Sequence, residues 1–361
     1  MSLVLENVTK KTGPLTDIDA VSLSLGRGSL NVLLGPTLAG KTSLMRLMAG
    51  LDAPTSGRIL FDGQDVTGIA VRRRNVAMVY QQFINYPTLS VYENIASPLR
   101  VARLPTSEID ARVQEAARLL KLTPMLQRMP QQLSGGQQQR TAIARALVKR
   151  AELVLMDEPL ANLDYKLREE LREELPRIFA TSGAVFVYAT TEPSEALLLG
   201  GNTATLSAGR VTQFGATAEV YRLPVDITTA RVFSDPPLNT IAARREGGGM
   251  SLATGAIVPA DGPFAALADG AYTLGFRAHH LRLDRPAYSI EIPGTVSVSE
   301  ITGSESFVHI ELAMNRFVAL LAGVHRYEPG AQVTAFIDPE RLFIFDANGR
   351  LATAPAARQA A

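Results

Sequence analysis

The chain has 361 residues, enough for about two domains of roughly 150 residues each, and its 46% hydrophobic, 20% charged composition excludes a disordered, collagenous or coiled-coil architecture. Lys plus Arg (36) nearly cancels Asp plus Glu (35), so no global field draws it to nucleic acid, which is not expected as a partner. There is no Cys, which excludes disulfides, thiolate metal sites and cysteine nucleophiles together.

All four histidines (His279, His280, His309, His325) fall in the last quarter, so the chemistry of the preceding residues proceeds without imidazole. The start, Met1 to Lys11, lacks a basic region followed by an apolar core, so no secretion signal is expected there. No stretch approaches the roughly 18 uninterrupted apolar residues of a spanning helix, so any membrane role is expected to be peripheral.

In chain order, Leu30–Leu34 reads as the first buried strand of a largely parallel sheet. It runs into Gly35-Pro36-Thr37-Leu38-Ala39-Gly40-Lys41-Thr42, which fits the phosphate-binding spacing G-x-x-x-x-G-K-[ST], and then into a helical run of Ser43, Leu44, Leu47 and Met48. Backbone N–H groups of such a loop, with the helix N-terminus, can hold the phosphates of a nucleotide. Lys41 is placed to neutralise the outer phosphates and the Thr42 hydroxyl to ligate Mg²⁺. Val76–Tyr80 reads as a second strand.

Ile109, Val113, Ala116, Ala117 and Leu120 then share one helical face, with Ser107 or Thr106 as cap after Pro105. Leu133-Ser134-Gly135-Gly136-Gln137 opens another helix. Ser134 can cap it, and the two glycines leave its first N–H groups open to an anion. Leu153–Met156 is a strand ending in Asp157 and Glu158, where one carboxylate can hold Mg²⁺ and the other polarise an attacking water. Leu167, Leu171, Leu175, Ile178 and Phe179 form a further helical face, which Pro176 is expected to kink or shorten. Val185–Tyr188 is the last strand of this alternating α/β pattern.

Pro224 to Pro237 reads as a connecting segment. Beyond it Gly247-Gly248-Gly249 and the period-two segments Thr295–Val298 and Phe307–Leu312 point to a small barrel of short strands. The tail Ala352–Ala361 is expected to fray.

With the phosphate loop, the Leu133–Gln137 pentapeptide and the carboxylate strand in this order and spacing, the chain resembles the ATP-binding subunits of ABC transporters. The resemblance covers residues 1–235, and the fold it implies is α/β: a phosphate-loop ATPase domain with a mixed, largely parallel sheet and a helical subdomain at about 85–150. Residues 236–361 resemble the small all-β, OB-like regulatory barrel of the sugar-importer branch. That likeness is carried by Gly275-Phe276-Arg277-Ala278-His279-His280-Leu281, Gly303-Ser304-Glu305 and Asp338-Pro339-Glu340, and the paired histidines read as barrel-loop residues.

The family implies ATP and Mg²⁺ as cofactors. Gly35, Pro36, Thr37, Leu38, Ala39, Gly40, Lys41, Thr42 and Ser43 become the nucleotide contacts, and Thr42, Gln81 and Asp157 the metal contacts. Ser134, Gly135, Gly136 and Gln137 become the signature that reaches the nucleotide held by a second cassette, Asp164 belongs to the loop linking the two sites, and Glu158 acts on the water. Phe83 to Ile95 resembles the region that meets the permease. The expected partners are membrane permease subunits, a second ATPase chain and, indirectly, an extracytoplasmic solute-binding protein, at the cytoplasmic face of a bacterial inner membrane. The stretches Ala77 to Pro87 and Ala189 to Pro193 resemble subunits of glycerol or sugar-alcohol importers.

Three places depart from the family. Thr191 stands where a His usually contacts the outer phosphate, and its hydroxyl is shorter and carries no charge. No aromatic residue precedes Phe61, so Thr12 stands near where a ring usually stacks on adenine; such stacking is worth roughly 0.5–1.5 kcal/mol beyond buried area. Leu38 replaces a frequent Gly of the loop. Gln81, the signature, Asp157, Glu158 and Asp164 are intact. The expectation is a heterodimer in which this chain's loop forms the weaker site and its signature completes a competent one. A homodimer is the alternative pairing, and a nucleotide-sensing, poorly hydrolysing subunit the alternative function.

Overall fold

The computed structural model describes residues 2–355 except 83, 162, 287, 313 and 314. It divides into two compact units, Met1–Thr217 and Ala218–Ala361. The division falls ahead of residue 235: the short helix Thr217–Arg222 lies at the boundary, and the segment read as a connection, Pro224 to Pro237, carries a second, Ile227–Val232. Within the second unit Ile227 and Ala230 pack with Leu238, Phe343, Phe345 and Leu351.

The first unit is built on a six-stranded sheet in the order Arg210–Ala216, Asn202–Ser207, Leu30–Leu34, Val185–Thr190, Leu153–Asp157, Val76–Val79, parallel except for the edge strand Arg210–Ala216. Every residue of Leu30–Leu34, Leu153–Asp157 and Val185–Thr190 is buried, which is why these strands read as unbroken apolar runs. A second, antiparallel sheet runs Leu15–Gly26, Ser2–Thr12, Ser56–Phe61, Gln64–Asp65. The helix Lys41–Ala49 is fixed between them: Leu44, Met45, Leu47 and Met48 share one core with Leu3, Leu5, Ile18, Leu33, Leu155 and Val187. The phosphate-loop helix therefore leaves the carboxyl end of a central strand with its register set by both sheets, the usual place for a ligand in such a fold.

Three helices, Val91–Val101, Thr106–Leu119 and Gly135–Val148, pack on one another as the expected helical subdomain. Two local readings are corrected. Pro105, not Thr106 or Ser107, occupies the cap position of its helix, and no side chain caps it; the ring's fixed geometry suits the start without help. Pro176 does not shorten its helix, which runs Tyr165–Ser182. The side chains of Leu167 and Phe179 lie outside the described residues.

The second unit has a six-stranded sheet, which includes Asn239–Glu246, Gly249–Leu252 and Gly270–Phe276, and a five-stranded sheet that includes Ile290–Ile301, Glu305–Leu312 and Gln332–Ile337. The inward residues Ile241, Leu274, Phe276, Ile292, Val308, Ile310 and Phe317 form its core. Arg277 is buried, its guanidinium 3.5 Å above the Tyr221 ring and donating to the Tyr221 carbonyl at 2.6 Å; burial pushes it down to about 10. Of the tail expected to fray, Ala352 and Thr353 instead belong to the strand Leu351–Thr353, paired with Phe343–Phe345, and residues 356–361 lie outside the described residues.

Candidate nucleotide site

The strand Leu30–Leu34 delivers Gly35 against the neighbouring strand so closely that a Cβ there would stand 2.5 Å from the Leu206 carbonyl oxygen. Only glycine fits, and its N–H donates to the Thr190 carbonyl at 3.4 Å. Ala39 is buried and donates to the Pro36 carbonyl at 3.1 Å, closing the loop, while Pro36, Thr37 and Leu38 are exposed at its rim. Leu38 sits at φ 67° with 96% of its surface exposed. Gly40, at φ 101°, turns the chain into the helix Lys41–Ala49. Helix and loop together leave an N-terminus facing the loop's mouth.

Lys41 is buried, and its ammonium donates to the carbonyls of Gly35 at 2.8 Å and Pro36 at 3.1 Å, with Glu158 at 3.8 Å. Burial pushes its pKa down, and Glu158 and Asp157 partly offset this. The Thr42 hydroxyl donates to Asp157 Oδ2 at 2.7 Å. Asp157, at the end of the strand Leu153–Asp157, is pushed up by burial against the opposing pull of Thr42 and Lys41. Glu158 follows at φ 45°, a strained conformation for this residue type, with its N–H on the Ala189 carbonyl at 3.0 Å. Burial also raises the Glu158 pKa; Lys41 works against this, while Asp157, Glu195 and Glu192 add to it. Gln81 donates from Nε2 to Glu158 Oε2 at 3.0 Å, so it joins the cluster through Glu158 rather than through Thr42 and Asp157. Ser43 is half-buried in the first turn of the helix.

One hydroxyl and one desolvated carboxylate oxygen thus already converge beside a buried ammonium, where a phosphate and a hard cation would each find the opposite charge. Among the described residues no cluster of three or more His, Cys, Asp or Glu could hold a metal by itself. A cation that takes one hydroxyl, one carboxylate and phosphate oxygens needs no such cluster. The residues present fit a nucleotide phosphate chain with a divalent ion.

The signature lies on a separate helix, Gly135–Val148. Ser134 Oγ accepts the Gln137 N–H at 3.4 Å and Gln137 Oε1 accepts the Ser134 N–H at 3.0 Å, a reciprocal capping box. Ser134 and Gly135 are exposed. Among the described residues, no hydrogen bond or ion pair links Ser134–Gln137 to Gly35–Thr42, Asp157 or Glu158. Asp164 is exposed just ahead of the helix Tyr165–Ser182, its carbonyl accepting the Arg168 N–H at 2.9 Å.

Thr191 lies immediately beyond Val185–Thr190, exposed, with no hydrogen bond from its hydroxyl to any described residue. Thr12 is exposed and donates to Asp17 Oδ2 at 2.5 Å. Of the Phe83–Ile95 stretch, Phe83 lies outside the described residues. Asn85 donates to the Gln138 carbonyl at 2.9 Å, and Arg145 stacks over Tyr86 at 5.2 Å, joining this stretch to the signature helix. A surface cavity of about 280 Å³ beside it is lined by Tyr86, Ser97, Pro98, Val101, Arg145 and Lys149.

Sequence reasoning missed the buried acid Glu195, which accepts from Thr190 and Tyr188 behind the strand end. Its one signal was a glutamate on the apolar side of a short helix with Ala196 and Leu199. In the second unit, His279 and His280 form the turn Ala278–His280 at the rim of a cavity of about 670 Å³. Burial, then the neighbouring His279, pushes His280 down to about 3.

Residues 18–161 match the family described as ABC transporter, and residues 274–345 match the TOBE domain. The chain is 37% identical over 356 residues to the alpha-glucoside transport ATP-binding protein AglK of Rhizobium meliloti, covering 96% of this chain and 98% of that one. It is 35% identical to the trehalose/maltose import ATP-binding protein MalK of Thermococcus litoralis, over 95% of this chain and 96% of that one. It is also 35% identical to the sn-glycerol-3-phosphate import ATP-binding protein UgpC of Paracoccus denitrificans, over 95% and 97%. Among solved structures, a dimeric post-hydrolysis state of the ATP-binding cassette MJ0796 with ADP and phosphate aligns at a TM-score of 0.55 and 30% identity, covering 60% of this chain and 98% of that one. No described helix is long and apolar enough to cross a membrane. The chain belongs to the ATP-binding subunits of ABC transporters: it is an ATP-binding transporter ATPase, an α/β cassette followed by a TOBE β-barrel-like domain.

Proposed function

We propose that this subunit powers import of a small polyhydroxylated solute, glycerol or another sugar alcohol or sugar, from the cytoplasmic face of a bacterial inner membrane. The observation that carries the reading is the meeting of Lys41, Thr42, Gln81, Asp157 and Glu158 at the carboxyl ends of the parallel strands. There Thr42, Asp157 and Gln81 would hold Mg²⁺, which would supply charge compensation on the phosphates. Gly35 to Ser43 cradle those phosphates, Lys41 neutralises the outer ones, and Glu158 orients the water, so catalysis is positioning plus electrostatics. The names of the relatives, which concern sugars and a glycerol ester, support the solute class.

The permease docks near residues 83–100, and an extracytoplasmic solute-binding protein feeds it. The second cassette is a different ATPase chain. Ser134–Gln137 complete that partner's site, while this chain's own loop, with Thr191 for the histidine, forms the weaker one. Native mass of the complex purified through a tag on this chain tests the pairing: one copy beside a second ATPase supports it, and two identical copies overturn it. Uptake of labelled glycerol in cells lacking the chain tests the solute. Restoration by the intact chain but not by Lys41→Ala is expected, and unimpaired uptake in the deletion strain rejects glycerol.

A second reading is a subunit that binds ATP and hardly hydrolyses it. The exposed Thr191 hydroxyl, without a partner among the described residues, favours it and the built Glu158–Gln81 contact opposes it. Single-turnover hydrolysis at this chain's own loop separates the two.

A further inference from the structure

Behind the strand Val185–Thr190 lies a carboxylate that the phosphate chemistry does not use. Glu195, in the first turn of the helix Pro193–Leu199, is only 4% exposed. An acid so far out of water needs donors on every side, and it has them. Its Oε2 accepts from the Thr190 hydroxyl at 2.6 Å and the Tyr188 phenol at 3.1 Å, and its Oε1 pairs with Arg172 at 3.0 Å. Burial and the Glu195 charge hold Tyr188 well above its ordinary value, so the phenol stays a donor. Arg172 also bonds Glu169 at 2.6 Å and Glu192 at 3.3 Å. The Thr190 hydroxyl, while donating to Glu195, accepts the Glu192 N–H at 3.0 Å. The turn that carries Thr191 is therefore pinned from inside on both flanks.

The same strand end supports the phosphate site through its main chain. The Ala189 carbonyl takes the Glu158 N–H and the Thr190 carbonyl takes the Gly35 N–H. Two consecutive residues thus hold the acid beside the phosphates and the entry of the phosphate loop, and the second of them is clamped by Glu195. Arg172 comes from the helix Tyr165–Ser182, which follows Asp164 directly, so that helix and the helix Pro193–Leu199 share one buried ion pair.

We infer that Glu195 is a positioning residue for ATP hydrolysis, holding Thr190 to Glu192 and, through the Ala189 and Thr190 carbonyls, the backbones of Glu158 and Gly35 in place, with Arg172 tying them to the helix after Asp164. This rests on Glu158 orienting the attacking water. Reacting groups tolerate little displacement, about 1 Å costing on the order of 10²-fold in rate, so loosening one support should act on turnover more than on binding. A purely structural acid would lower the folded fraction and leave the rate per folded site alone.

The test uses the assembled complex purified through a tag on this chain. Nucleotide stoichiometry, and kcat and KM of the site at this chain's own loop, are measured for Glu195→Gln, Thr190→Val, the two combined, and Glu158→Gln. The expected result is a drop of about tenfold in kcat for each of the first two, with stoichiometry intact and KM within about twofold. The combined variant should fall no further than the worse single, because both cut the same link. Unchanged kcat per binding site, losses that multiply in the combined variant, or a defect confined to stoichiometry each overturn the inference. If Glu195→Gln does not fold, Thr190→Val alone decides, since it removes the hydroxyl and keeps the shape. A Glu158→Gln variant with full turnover would instead sink the role given to Glu158, so the two failures are distinguishable.

Discussion

On the proposed reading, the phosphate-loop face departs from its family's wording at Thr12, Leu38 and Thr191, while the signature Ser134–Gln137 keeps it. On the first face Thr191 is exposed with no hydrogen-bond partner for its hydroxyl among the described residues, Thr12 is turned to Asp17, and Leu38 stands out in a left-handed conformation. On the second, Ser134 and Gln137 close a complete capping box, and the Asn85 and Arg145 contacts tie the helix to the neighbouring loop. What this chain would hold for itself is thinned, and what it would lend to a partner is kept. In a dimer that shares each site between two chains, that contrast is what unequal sites require.

Glu158→Gln probes the contrast hardest. Under the proposed reading, phosphate release in a single turnover at this chain's own loop falls by at least about 10²-fold with nucleotide affinity retained. A change below twofold would sink the role given to Glu158, and the intact carboxylate would no longer count for this face in the contrast. The pH profile follows from the same residue. Burial raises Glu158 above the ordinary carboxylate range, and it accepts a proton only when ionised, so turnover is lost as pH falls through the raised value. Stability runs the other way. Asp157 and Glu158 both have raised folded values, so their contribution is fullest below the unfolded carboxylate range and is lost as pH rises through the raised ones.

Ser134→Ala should lower turnover of the whole complex by about 10- to 100-fold, the worth of a hydrogen bond to a charged group, while nucleotide affinity at this chain's own loop stays within twofold. Loss of the cap also costs about 1 kcal/mol of helix stability, which a melting curve reads separately. Equal losses of affinity and turnover would break the contrast, because the signature would then be serving its own chain. Thr191→His is smaller and of opposite sign. Restoring a charge-assisted contact should raise turnover by up to about tenfold if that loss limits hydrolysis, and an unchanged or lower rate counts against it.

How far the sequence foretold these faces depended on whether each signal was local. Leu30–Leu34 and Val185–Tyr188, the greater part of the strand Val185–Thr190, were legible because strands buried on both sides are unbroken apolar runs, and Gly35 to Thr42 because its spacing is the chemistry. The strands Ser2–Thr12 and Leu15–Gly26 were not read, since bulges between Leu5 and Val8 and again between Val8 and Lys10 break their alternation. Ile227–Val232 has only six residues, too few turns to show a period, so its stretch passed for a connection. Glu195 was out of reach for another reason. Its donors Tyr188, Thr190 and Arg172 come from two other elements, and no spacing along the chain pairs them.

The smallest effect concerns Leu38, and it decides how much of the first face is really altered. A non-glycine residue in the left-handed region costs about 1–2 kcal/mol, and Leu38, 96% exposed, recovers none of that by packing. Leu38→Gly removes the strain, and the greater freedom of glycine in the unfolded chain takes back roughly 0.5–1 kcal/mol. The net expectation is a gain of up to about 1 kcal/mol, a rise of about 2–4 °C in the melting temperature of the nucleotide-free chain. A fall in Tm would mean that the side chain has a contact worth more than its strain. Nucleotide affinity settles the rest. A rise of more than about threefold places Leu38 among the residues that weaken the cradle, whereas an unchanged affinity leaves the thinned face resting on Thr12 and Thr191 alone, one contact to the base and one to the outer phosphate.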